Sequence, residues 1–175
     1  MRSRAWESLL KLGVTYSLVM ILASLALGVT YREVSKAYLS SLPLDKSLLA
    51  SYYLSLMHGH ALVAGALLVT TLLVITYLLM KSGVLSEGDL MGLRKAMVVL
   101  VIGSLAAVVL LTYKGLVVAT NYVGLGSLGM ANEALFDGDS VVREGIYGVS
   151  HLLLGIGVTW YVIKLMKASL RLGKS

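Results

Sequence analysis

The sequence of 175 residues contains no cysteine, so disulfides, thiolate metal sites and cysteine nucleophiles are all excluded. Charged residues make up only 14% of the chain, whereas a soluble domain usually carries about 25%. Proline occurs once, at Pro43, so the long apolar runs have no proline interruption. Because 58% of the residues are hydrophobic, the polar side chains are too few to cover a water-facing surface. These shortages predict an integral membrane protein with a single domain.

Four long apolar runs are present, and each is close to the ~20 residues that a membrane-crossing helix needs. The runs are Leu9–Val29, Met57–Met80, Ala96–Thr120 and Ile146–Ile163. Backbone groups in lipid have no water to bond, which favours helices, and the alternating polarity of a β-barrel is missing. The fold class predicted is therefore all-α, a transmembrane four-helix bundle. We expect a short interfacial helix within residues 30–56, a charged link at residues 81–95, and a glycine-rich loop at residues 121–145 that folds over the bundle mouth.

The distribution of lysine and arginine predicts how the bundle is oriented. Four basic residues fall in the first and third connections, whereas ten fall on the side of the termini: Arg2, Arg4, Lys11, Lys81, Arg94, Lys95, Lys164, Lys167, Arg171 and Lys174. Both termini are therefore predicted to be cytoplasmic, in a multi-pass protein of the cell membrane. The net charge of +6 is explained by these helix ends, and we expect no nucleic-acid partner.

All three histidines fall in or beside apolar runs, where ionisable residues are rare and often functional. His58 and His60 lie at the start of the second run, and His151 lies early in the fourth. Both runs enter from the outer side in the predicted orientation. The three imidazoles should therefore share one depth near the outer face of the bilayer.

Cations, tyrosines and glycines are predicted to reach the same level, and together with the histidines they are typical of a heme site. Neutral imidazoles ligate heme iron axially, and cations pair with the propionates that point toward water. Glycines three residues before and four residues after His151 would clear room for a flat macrocycle, or serve close helix packing. The candidate site residues are His58, His60, His151, Lys114, Arg32, Tyr31, Tyr113, Gly148 and Gly155.

The sequence leaves the choice between His58 and His60 open. The two residues differ by about 200° around a helix, so both cannot easily face one iron. Depth favours His60, whereas the small residues Ala61 and Gly65 favour His58. Two alternatives also stay open: copper or zinc could bind to the three histidines, or the imidazoles could simply bond across helices.

Several short motifs carry a resemblance to known families. The segments Tyr31-Arg32-Glu33-Val34-Ser35-Lys36, His58-Gly59-His60 with Gly65, Tyr113-Lys114-Gly115 and Gly148-Val149-Ser150-His151 resemble an uncharacterised family of small four-helix prokaryotic membrane proteins, over about residues 15–163. The second apolar run also resembles the heme-ligating second helix of heme–copper oxidase subunit I. It is similar, too, to the His-x-His segment of a heme- and copper-containing family linked to nitric oxide responses.

The resemblance implies heme ligation by His151 and by His58 or His60, with Lys114 standing where the family implies an arginine. An oxidase-type centre would need carboxylates deep in the membrane, and none of the four apolar runs contains Asp or Glu. We therefore expect a cytochrome b-like protein that uses heme b iron for electron transfer, or for sensing or handling heme or a gas, rather than a stand-alone enzyme. A copper or zinc protein and an accessory subunit of a larger complex are the alternatives. The expected partners are the lipid bilayer, a redox partner or quinone, and a second copy in a homodimer.

Overall fold

A computed structural model describes residues 3–172, with the side-chain surroundings of all of these except Asp45, Leu49, Val123 and Leu128. Arg2 and Lys174, two of the cations counted for the orientation, lie outside the described residues. Within the described range the chain is helical and has no strand, which confirms the all-α prediction. Four of its helices are long and apolar enough to cross a membrane.

Within residues 3–172 six α-helices follow one another, linked in places by π-helical or 3-10 turns. They are α1 (Arg4–Val34), continued by a π-helical turn (Ser35–Leu39), α2 (Leu44–His60), a π-helical segment (Ala61–Leu67), α3 (Leu68–Lys81), α4 (Glu87–Leu125), α5 (Leu128–Glu133), a 3-10 turn (Leu135–Gly138) and α6 (Ser140–Ser169). The segment between α2 and α3 is continuous with both, so these three pieces form the second long helix.

The long helices extend well beyond the apolar runs. The short interfacial helix expected within residues 30–56 is not found there, because these residues form the end of α1, its π-helical turn and the start of α2. Leu39, Ala50 and Leu54 are buried, so tertiary packing prolongs both helices past the apolar runs. As a result His58 and His60 lie well inside the second long helix rather than at its start.

Side-chain caps fix where α1, α4 and α6 begin, whereas α2 begins after Pro43 without a side-chain cap. Ser3 accepts a hydrogen bond from the backbone of Trp6 at the start of α1, and Asp139 accepts one from Val142 at the start of α6. At the start of α4, Ser86 and Asp89 form a reciprocal capping box. These residues satisfy backbone N–H groups that a helix leaves unpaired at its N-terminus.

Two hydrophobic clusters divide the interior. The first lies toward the start of α1 and draws on all four long helices, including Leu9, Val69 and Met97, with Tyr161 from α6. The second lies around the end of α1, α2 and the far half of α4, and includes Leu54 and Leu135. No described residue of α6 belongs to the second cluster. The fourth long helix therefore leaves the buried core as it approaches the loop end.

Glycines set where the helices touch. Gly103 of α4 faces the backbone of Leu154, and Gly157 of α6 faces the backbone of Leu100, and at each position a Cβ would overlap those atoms. Farther along α4, a Cβ at Gly115 would lie 3.1 Å from the carbonyl oxygen of Tyr53. The helix α4 thus packs against α6 in its middle and against α2 near its end.

Candidate functional site

Lys114 of α4 lies between two tyrosines that come from different helices. Its Nζ atom is 5.0 Å from the ring centre of Tyr53 on α2 and 5.6 Å from that of Tyr147 on α6. Both distances fall within the range of a cation–π contact. Tyr147 also donates a hydrogen bond of 3.0 Å to the carbonyl oxygen of Leu110, which attaches α6 to α4 at this level. The lysine therefore marks a point at which α2, α4 and α6 converge.

A second cation lies beside this lysine. Arg143 is close enough for its positive charge to repel that of Lys114, and it donates a hydrogen bond of 3.1 Å to the carbonyl oxygen of Asn132. Among the described residues neither cation forms an ion pair with a carboxylate. Two half-buried cations without a counter-charge are costly, and an anionic group bound between them would lower that cost.

His60 and His151 have the same hydrogen-bonding arrangement. The Nδ1 atom of His60 is 2.9 Å from the carbonyl oxygen of Leu56, and that of His151 is 2.8 Å from the carbonyl oxygen of Tyr147. A carbonyl only accepts, so each Nδ1 carries the proton. In the neutral imidazole the Nε2 atom then keeps its lone pair, which is the form that ligates a metal, with the backbone bond orienting the ring.

Helical spacing puts both imidazoles on the side of α4 that carries Lys114. His60 follows Tyr53 by seven residues, which is about two turns, and His151 follows Tyr147 by four, which is about one turn. Since both tyrosines contact Lys114, His60 and His151 lie on the faces of α2 and α6 that flank this lysine. Both helices run antiparallel to α4, so both histidines lie on the same side of Lys114 along the bundle axis.

The space between α2 and α6 lies beside Lys114, which contacts a tyrosine from each of these helices. In the described part of the chain α6 packs along α4 and hardly touches α2. His60 is half-buried and His151 is exposed, and the shallow pocket beside His151 is lined by α6 residues alone. We call the set of Tyr53, Tyr147, His60, His151 and Lys114 the histidine groove.

The loop before α6 covers one end of this groove. The ring of Phe136 lies 5.1 Å from that of Tyr113 and 6.2 Å from that of Tyr147, measured between centroids. The backbone N–H of Phe136 also donates to the Tyr113 hydroxyl at 3.3 Å. Phe136 and Asp137 both have φ values near +55°, which is unusual for residues other than glycine. Residues 121–145 were expected to form a glycine-rich loop, but most of them are helical, since they include the end of α4, all of α5, the 3-10 turn and the start of α6. The part at Phe136 does fold against Tyr113 and Tyr147.

His58 lies on a different side of the second long helix. Its ring stacks on Tyr31 of α1, with ring centres 6.0 Å apart, and Ser24 donates a hydrogen bond to its backbone carbonyl. Its Nδ1 atom is buried and has no hydrogen-bond partner among the described residues. The two histidines of the His-x-His motif therefore face different neighbours, as the 200° separation predicted.

The structure brings together only some of the residues predicted from sequence. Arg32 is exposed at the end of α1, and no contact of it with Lys114 or with any of the three histidines is found among the described residues. Gly148 and Gly155 have open space where a Cβ would be, so neither serves close helix packing in this chain. No group of three or more His, Cys, Asp or Glu side chains in the described range could hold a metal ion. The three histidines thus do not assemble into one copper or zinc site, because His58 faces α1.

Sequence reasoning missed Arg143, Tyr53 and Tyr147 as site residues. Arg143, Tyr147 and His151 are spaced four residues apart, which places them along one helical face. This spacing was not recognised, because the apolar run begins only at Ile146 and so leaves out Arg143, whereas α6 begins at Ser140. The π-helical segment that starts at Ala61, directly after His60, was also not foreseen, and such segments are frequent at functional sites.

Comparison with known proteins gives a family but no activity. No curated protein and no solved structure matches the chain. A family model described as a protein of unknown function, DUF2871, matches residues 10–168. The prediction of an uncharacterised family is thereby confirmed, whereas the similarity to heme–copper oxidases stays a prediction. The chain belongs to the DUF2871 family.

Proposed function

We propose that the protein is a multi-pass protein of the cell membrane, with cytoplasmic termini, that binds heme b in the histidine groove. His60 and His151 would be the axial ligands of the iron. Lys114 and Arg143 would pair with the propionates. The four helices of sufficient length and apolarity support membrane insertion, and the excess of basic residues on the side of the termini supports the orientation.

One observation carries the heme proposal: two imidazoles on facing helices have their Nδ1 protons bonded to backbone carbonyls. This leaves both Nε2 lone pairs available and both rings held in orientation. An imidazole that served only to bond across helices would direct its N–H to another helix, and neither Nδ1 atom does so. The same argument favours His60 over His58, whose Nδ1 is buried and unbonded.

The charges beside the groove support an anionic cofactor. Lys114 and Arg143 are two cations at one end of it, matching the two carboxylates of heme. The tyrosines that flank Lys114 restrict where its ammonium group can go.

Two histidine ligands favour electron transfer over gas binding. Held by His60 and His151, heme would supply a reversible one-electron couple, and neither of these imidazoles would leave its place for a gas. The chain's own residues would hold the propionates, orient the imidazoles and keep one face of the cofactor in an apolar environment. A redox partner or quinone and a homodimer stay predictions.

Absorbance spectra of the detergent-purified protein test this proposal. After expression with ample heme, the wild type should show a Soret band and sharp visible bands on reduction. His60→Ala and His151→Ala should each lose most of the bound heme or change to a five-coordinate spectrum. His58→Ala is the matched control, because it removes an imidazole only two residues away, and it should retain the wild-type spectrum.

Two results would contradict the proposal. One is a wild-type protein that folds in membranes and yet carries no Soret absorbance. The other is a heme-containing protein in which His58→Ala loses the cofactor while His60→Ala keeps it. Correct folding of each variant is checked by its recovery from the membrane fraction and by its elution on size exclusion.

A further inference from the structure

A cleft lies at the opposite end of the bundle from the histidine groove. It has a volume of about 1090 Å³ and lies between α1 and α3, close to the start of α4. Its walls are mainly apolar and include Leu10, Val14, Leu18 and Val74. None of the three histidines lines it. The cleft is therefore separate from the histidine groove.

The mouth of the cleft carries charges of both signs. Glu7 and Lys81 both line it and are exposed, and within the described residues neither takes part in an ion pair. Glu87 adds a second carboxylate, which accepts hydrogen bonds from the Ser3 hydroxyl and the Ala5 backbone N–H and keeps its negative charge. A zwitterionic group matches charges of both signs, with its cation on the side of the carboxylates, toward Glu7, and its anion toward Lys81.

Aromatic residues lie at the same level. The rings of Trp6 and Tyr77 are 6.1 Å apart, and the ammonium of Lys81 is 5.7 Å from the centre of the Tyr77 ring. Tryptophan and tyrosine are enriched at the headgroup level of membranes, with lysine extending to the interface. The mouth of the cleft therefore lies where lipid headgroups lie.

The depth of the cleft suits an acyl chain. Its lining on α1 extends from Trp6 to Ile21, which corresponds to ~22 Å of helix. One leaflet of a bilayer has a hydrocarbon thickness of ~15 Å, half of the full core. Among the described residues, the polar pair deep in the cleft is satisfied internally, because Thr70 donates to Ser17 at 3.2 Å and Ser17 lies 3.5 Å from the carbonyl of Ala66. No polar group is thus left at depth to hold a quinone ring.

We propose that this cleft binds a phospholipid with a zwitterionic headgroup, of which phosphatidylethanolamine is the test case. The phosphate contacts Lys81, the ammonium contacts Glu7, and an acyl chain follows the apolar wall of α1. The proposal needs membrane insertion but does not depend on heme, so it stands or falls separately from the histidine groove.

Native mass spectrometry of the intact, detergent-purified protein tests the proposal. After delipidation, phosphatidylethanolamine should bind with one molecule per chain and raise the melting temperature. Phosphatidylglycerol, which lacks the ammonium, should bind more weakly, and so should diacylglycerol and free phosphoethanolamine. Lys81→Glu should weaken binding of phosphatidylethanolamine about tenfold, the factor that corresponds to ~1.4 kcal/mol. Val14→Trp, which fills the apolar wall and leaves both charges in place, should also weaken it.

Lys167→Glu is the matched control, since Lys167 is an exposed cation at the same end of the bundle on α6 and does not line the cleft. It should bind phosphatidylethanolamine like the wild type. The proposal is overturned if the lipid fails to bind, if phosphatidylglycerol or diacylglycerol binds equally well, or if Lys167→Glu and Lys81→Glu behave alike. Heme content in Lys81→Glu should equal that of the wild type, which separates this test from that of the proposed function.

Discussion

Two sides of the second long helix place chemically identical residues in different settings. On one side His58 stacks on Tyr31 of α1, and its Nδ1 is buried without a partner. On the other side His60 donates its Nδ1 proton to its own helix and lies in line with Tyr53, which contacts Lys114. Two residues of separation thus decide whether an imidazole packs against a neighbouring helix or stays available as a ligand.

The contrast teaches that a His-x-His motif in a helix defines two sites and not one. The motif turns its two side chains about 200° apart, so each side takes its character from the helix that it faces. Helix α1 supplies an aromatic ring to His58, whereas α4 and α6 supply Lys114 and His151 on the side of His60. Substitutions on the two sides should therefore have separable effects.

Apart from substitution of the histidine ligands, substitution of the cations should lower heme affinity most. Lys114→Ala should lower heme affinity by ~10–100-fold, because a charge-assisted hydrogen bond contributes ~1.5–3 kcal/mol. Heme titration of the purified apoprotein, followed in the Soret region, measures this change. Arg32→Ala is the matched control, since it removes an exposed cation at the end of α1. An equal loss of heme affinity in Lys114→Ala and Arg32→Ala would contradict this prediction, because it would show that the position of the cation does not matter.

At His58 we expect a smaller effect, and it is a gain in stability rather than a loss of heme affinity. His58→Phe keeps an aromatic ring against Tyr31 and removes the buried Nδ1 atom, whose missing partner costs ~1–3 kcal/mol. We expect the free energy of unfolding to rise by about 1 kcal/mol, with heme content unchanged. Unfolding of the apoprotein in mixed micelles measures the stability.

His60→Phe gives the comparison for that stability measurement. This substitution removes a nitrogen that already has a hydrogen-bond partner, the Leu56 carbonyl, so it should not stabilise the apoprotein. It should also abolish heme binding. If His58→Phe destabilises the protein instead, then Nδ1 has a partner in the membrane and the two sides are less different than proposed.

The sequence predicted the long apolar helices, but not their arrangement. Run lengths and hydropathy were enough for four long helices, since lipid leaves little choice of secondary structure. The grouping of Lys114 with His60 rather than His58 was out of reach, because it depends on how α4 is rotated against α2. That rotation is set by a backbone contact at Gly115, which no periodicity in a single helix reveals.

The smallest effect on stability is expected at Tyr147, whose hydroxyl donates a hydrogen bond to the Leu110 carbonyl. Tyr147→Phe keeps the ring near Lys114 and removes only this hydrogen bond. The same carbonyl also accepts from the Lys114 backbone in the regular α-helical pattern, so it does not become unsatisfied, and the loss should be ~0.5–1 kcal/mol. Unfolding in mixed micelles should detect that loss. Tyr38→Phe is the matched control, because the Tyr38 side chain is exposed and its hydroxyl forms no hydrogen bond among the described residues. Heme affinity should change little, because the cation and both imidazoles stay in place. A loss of heme affinity as large as that of Lys114→Ala would instead mean that the hydroxyl itself contacts the bound group, and the boundary of the histidine groove would then have to include it.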